Sequence, residues 1–134
     1  MKSFKLLTLC FMGSLWICSA LAQTAEETRR GKRMAVEALK LMRVCDDQID
    51  NPAPASYGKP TVAQCIQKIQ VLGVGLDPRD LKASFEGQLP CWMATQNWGR
   101  YAEELMKPAP KGVPAVRWFK AYHDEADRCR VNIR

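Results

Sequence analysis

The chain reads as a small all-α bundle of four or five helices held together by two disulfides. Three observations carry that expectation. Apolar residues recur at helical spacing in every long segment, and no alternating run of β-branched residues interrupts them. Four cysteines remain once an N-terminal leader is set aside. The richest segment covers residues 91–107. On a helical wheel Cys91, Ala94, Trp98, Tyr101, Ala102 and Leu105 gather in one half, while Gln96, Asn97, Arg100, Glu103 and Glu104 take the other. So wide an apolar arc belongs to a helix packed against several neighbours, and Pro90 suits its first turn, where a missing N–H costs nothing.

The first 22 residues carry Lys2 and Lys5, then an apolar run over 6–18, and end in Ala20-Leu21-Ala22, a small-x-small cleavage pattern. The run is shorter than the roughly 20 apolar residues that a membrane span needs. Residues 1–22 therefore read as a secretory signal peptide and residues 23–134 as a single exported helical domain with no transmembrane anchor. It belongs in the periplasm if the source is bacterial and outside the cell otherwise. Cleavage takes away Lys2 and Lys5, lowering the net charge from +6 to +4. That mild basic bias favours acidic partners over basic ones.

Cys10 and Cys18 leave with the leader, and Cys45, Cys65, Cys91 and Cys129 stay. Their wide spacing, without any CxxC, fits two disulfides and excludes the usual zinc, redox-pair and haem signatures. A first helix opens at a Thr24/Glu27 capping box and runs to about residue 45 or 47. Residues 50–60 form a proline-rich connector. A second capping box at Thr61 and Gln64 starts the next helix, which ends at Gly73 and Gly75. Asp77-Pro78 signals a short helix burying Leu81 and Phe85. The segment 91–107 follows, then a second proline-rich connector and a last helix over about 114–130. If consecutive helices run antiparallel, Cys45 and Cys65 share one end of one hairpin, and Cys91 and Cys129 share an end of the other. The pairing Cys45–Cys65 and Cys91–Cys129 is therefore preferred.

Two surface features point towards binding. On the first helix Arg29, Lys32, Arg33, Lys40 and Arg43 fall within about 100° of one another with Val36 among them, and no acid lies inside the arc. Like charges one turn apart cost a helix a few tenths of a kcal/mol each. Such an arc suits an anionic partner, although a solvated face explains it equally simply. The second feature is Trp92 with Met93, the latter being the one apolar residue on the polar half of its helix. Trp, Met and Arg are enriched at protein interfaces.

Catalytic signatures are missing. His123 is the single histidine, with Asp127 one turn away, yet no nucleophile can be placed beside the pair. The adjacent carboxylates Asp46/Asp47, Glu103/Glu104 and Asp124/Glu125 diverge by about 100° on a helix and make no acid–base couple. No HExxH, phosphate-binding loop or metal-ligand spacing occurs, so no metal and no cofactor is expected. The basic residues are not interleaved with aromatics, which argues against nucleic acid. The expectation is an exported binding protein, an inhibitor or immunity-type partner of another envelope or extracellular protein. A small envelope hydrolase and a carrier of an apolar ligand are the alternatives.

Overall fold

The computed structural model describes the backbone of residues 4–50, 58–79, 85–108 and 112–134, and side chains within those ranges from Ala25 onwards. Four helices appear among the described residues: α1 (Phe4–Asp50), α2 (Val62–Gly75), α3 (Gln88–Met106) and α4 (Gly112–Asn132). They run up, down, up and down. Cys45 near the end of α1 bonds Cys65 near the start of α2, while Met34 lies against Gly75 at the other end of that pair. Cys91 in the first turn of α3 bonds Cys129 near the end of α4. Both expected disulfides are therefore present, each stapling one antiparallel hairpin.

The core has two parts. Met42, Cys45, Ile69, Trp98, Ala102 and Tyr122 form the first, at the end where α1 finishes and α2 begins. Ala35, Ala38, Leu76, Phe85, Cys91 and Cys129 form the second. Leu39 packs against both, joining them along α1. Small residues keep the helices close. A Cβ on Gly73 would stand 2.7 Å from the Thr95 hydroxyl, so α2 and α3 approach more closely there than any larger residue allows.

Several boundaries differ from the sequence reading. The backbone of α1 is already helical from Phe4, so Thr24 lies within the helix and does not open it. Leucine, methionine and alanine upstream of it are good helix formers and continue the ladder. The Thr61/Gln64 capping box forms as expected, with both reciprocal hydrogen bonds made. Of the predicted short helix, residues 80–84 lie outside the described residues. Asp77-Pro78-Arg79 forms a turn, in which Asp77 accepts from the Arg79 backbone and guanidinium.

Helix α3 begins three residues before Cys91, at Gln88, behind Gly87 in the left-handed region (φ 79°). Any side chain at Gly87 would also run into Asn132, whose amide donates to the Gly87 carbonyl at 3.0 Å. Gln88 replaces the expected cap by reaching across the turn. Its side-chain oxygen accepts from Phe85 N–H and its amide donates to the Leu76 carbonyl, joining the end of α2 to the start of α3.

Candidate functional site

Two neighbouring regions of α1 carry the chemistry. Asp46 lies beside Cys45 at the seam where α1 meets α3 and α4. Trp98 Nε1 donates to one of its carboxylate oxygens at 2.9 Å, and the Tyr122 hydroxyl donates to the other. Burial raises the Asp46 titration above the ordinary carboxylate range, and the two donors and the His123 ring nearby only partly oppose that. Burial and the Asp46 carboxylate push the Tyr122 phenol well above its usual value, so it stays a neutral donor. Both oxygens of Asp46 are occupied and held. The group is a polar pin between three helices rather than a free base.

The sign of its pH dependence follows. A carboxyl whose folded pKa exceeds its unfolded one favours the folded state when protonated. That contribution is complete below the unfolded pKa and is lost as pH rises through the raised folded value. Relative to Asp46→Asn, the native protein should therefore fare better at about pH 3 than at about pH 7 in denaturant titrations. Equal differences at both pH values would rule out the raised titration.

His123 packs its ring against Phe119 and Tyr122 at centroid distances of 4.3 and 4.1 Å. Its Nε2 is buried and has no hydrogen-bond partner. Asp127 does not orient it, because that carboxylate pairs with Arg130 instead. The carboxylate that His123 acts on is Asp46. Cys45, Cys65, Cys91 and Cys129 are all in disulfides, so none of them is a free thiol beside this ring. A cavity of about 270 Å³ opens here between α1 and α4, bordered by Arg43, Asp46, Tyr122, His123 and Arg130. It adjoins a groove of about 420 Å³ lined by Val36, Leu39, Lys40, Val44 and Ile133, with Arg43 and Arg130 shared between the two.

On its other flank α1 meets α2 across an open groove of about 720 Å³. Leu41, Val44, Val71 and Leu72 line it, with Lys40, Lys68 and Glu37 at its edges. Val71 and Val74 are 66 % and 72 % exposed. Lys40 and Val44, one turn apart, line both grooves and thus form the ridge between them.

No protein-family model, curated protein or solved structure matches the chain. The geometry alone must carry the functional argument.

The basic arc does not form one patch. Lys32 turns towards a separate groove with Glu86, Gly87 and Asn132. Lys40 stands on the ridge and Arg43 borders the cavity, while Arg29 and Arg33 are exposed on the solvent side. None of the five takes part in an ion pair among the described residues. Trp92 is half-buried against the second core cluster, Met93 is half-buried, and neither lines these grooves. Arg100, on the same helix, lays its guanidinium over the Trp118 ring at 4.6 Å. No cluster of potential metal ligands occurs among the described residues. Among them, too, no helix is long and apolar enough to cross a membrane.

Sequence reasoning missed Asp46, Trp98 and Tyr122 as a hydrogen-bonded set, and Gln88 as a buried cap. One signal for the first was available. Asp46 directly follows Cys45 at the edge of the apolar arc, so its side chain points partly inward while that of Asp47 faces solvent.

Proposed function

We propose that this chain is an exported helical binding protein, with residues 1–22 as a cleaved leader and residues 23–134 as one domain. It acts as an inhibitor or immunity-type partner of another envelope or extracellular protein. The observation that carries this reading is the groove between α1 and α2. Contiguous exposed apolar surface beside a concave channel marks an interaction site more often than scattered exposed side chains do. An open channel between two helices with apolar residues along it is the kind of surface that takes an amphipathic helix, with apolar anchors one turn apart. Lys40 and Lys68 flank the channel without ion-pair partners among the described residues, against the single acid Glu37 in its lining. That excess of positive charge selects an acidic partner and disfavours a second copy of the same surface.

The exposed apolar residues Met106, Val113, Val116 and Phe119 line none of these channels and serve as the control. The test uses protein purified from its own host with disulfides intact. A stoichiometric partner is captured from that host's envelope fraction, and its affinity is measured against groove variants. The pair Lys40→Glu and Lys68→Glu should weaken binding by about tenfold or more, and Val71→Asp should weaken it further, while Val113→Asp leaves it unchanged. Affinity insensitive to the groove variants, in proteins with unaltered helical circular dichroism, overturns the reading. So does the absence of any stoichiometric partner.

A further inference from the structure

We propose that the opposite flank of α1 binds a single-chain amphipathic anion. Its headgroup sits in the cavity among Arg43, Arg130 and His123, and its tail lies along the groove past Val36, Val44 and Ile133. This site lies across the ridge from the α1–α2 channel and does not rest on the protein-docking reading.

Three features of the cavity define the headgroup. Arg43 borders it and has no ion-pair partner among the described residues. Asp46, the one carboxylate among the residues lining the cavity, is held by Trp98 and Tyr122 and makes no ion pair with Arg43. His123 lines the cavity, and its Nε2 is buried without a hydrogen-bond partner among the described residues. A buried polar nitrogen left unmatched costs free energy that a ligand oxygen would recover. Arg130 completes the ring of donors; its one partner, Asp127, lies on its solvent side, 71 % exposed. Guanidinium pairs are the side chains best shaped to hold a carboxylate or similar planar anion. Counted with Lys40 on the rim, three cations face two carboxylates, and one of those two is pinned.

The groove defines the rest of the molecule. It adjoins the cavity, with Leu39, Arg43 and Arg130 lining both, and its remaining wall is mostly aliphatic. A ligand that is anionic along its whole length would leave Val36, Val44 and Ile133 unmatched. A purely apolar one would leave the Arg43 guanidinium at the cavity edge without an anionic partner. An anion-headed chain satisfies both regions at once. A free fatty carboxylate and a single-chain lipid with an anionic head share this chemistry.

The probe is decanoate, below its micelle concentration, added to the purified protein with disulfides intact. Calorimetry should give one-to-one saturable binding with a Kd on the order of 0.1 mM, and decanol should bind at least about tenfold more weakly. Arg43→Gln and Arg130→Gln should each weaken decanoate binding by about tenfold, and His123→Phe, which keeps the ring packing, by several-fold. Lys68→Glu and Val71→Asp, in the other groove, should change nothing. A lysophosphatidic acid probe that binds more tightly than decanoate through the same arginines assigns the lipid source; equal or weaker binding assigns the free carboxylate. The proposal is overturned if decanoate shows no saturable binding, or binds no better than decanol. It is also overturned if binding ignores Arg43 and Arg130 in variants whose circular dichroism and disulfides are native.

Discussion

Replacing Trp98 by alanine should lower the stability of this protein by about 3–5 kcal/mol, the range for truncating a fully buried aromatic. Trp98 has no exposed surface and sits at the centre of the first core cluster, where α1, α3 and α4 meet. Truncation removes the ring and also takes one of the two donors that hold Asp46. The half-buried carboxylate then keeps only Tyr122. Trp98→Phe separates the two losses, since it keeps most of the ring and loses only the indole N–H. It should cost about 1–3 kcal/mol, the penalty for leaving one buried polar partner unmatched. Denaturant midpoints with disulfides intact read both values. A domain of this size has about 5–15 kcal/mol in total, so the alanine variant should be marginal. An alanine variant within about 1 kcal/mol of the native protein would mean that Trp98 is not the keystone its burial implies.

Removing the Cys91–Cys129 disulfide should be comparably severe. That bond closes a 38-residue separation and the Cys45–Cys65 bond a 20-residue one. By loop entropy the longer is worth roughly 4 kcal/mol and the shorter roughly 3. Alanine at both Cys91 and Cys129 should therefore destabilise more than alanine at both Cys45 and Cys65. Both pairs are fully buried, so the small voids left behind add to each loss in the same way. Thermal melts of the two double variants measure the order. The reverse order would show that residual structure in the unfolded α3–α4 hairpin, rather than chain entropy, sets the difference.

Much of the fold was legible because helical periodicity and capping act locally. The apolar arc of residues 91–107 holds: Cys91, Ala94, Trp98 and Ala102 are all buried in α3. The Thr61/Gln64 cap needed only four consecutive residues to be recognised. The disulfide partners followed from helix direction alone, given antiparallel neighbours. What stayed hidden depends on contacts distant in sequence. Asn97 belongs to the polar half of its wheel and is nevertheless buried, because α3 is covered on more sides than one arc describes. Asp46 meets Trp98 across 52 residues and Tyr122 across 76, and no local pattern encodes either partner. The basic arc of α1 was visible as a set of charges. Its partition among three grooves is a property of the neighbouring helices and of nothing in α1 itself.

The two disulfides also set the covalent topology of the chain. Each closes a ring, one over residues 45–65 and one over residues 91–129, and the rings share no bond. A protease that nicks either ring once leaves a single covalent molecule, its fragments still tethered by sulfur. A nick between Ile66 and Pro90 is different, for it divides the chain into two separately stapled hairpins. Only the packing of Leu39, Trp98 and their neighbours, with the Gln88 and Asp46 hydrogen bonds, would then hold the halves together. The proline-rich connectors inside the two rings are thus the tolerant sites. The passage from α2 to α3 is the one where a single scission turns a monomer into a heterodimer.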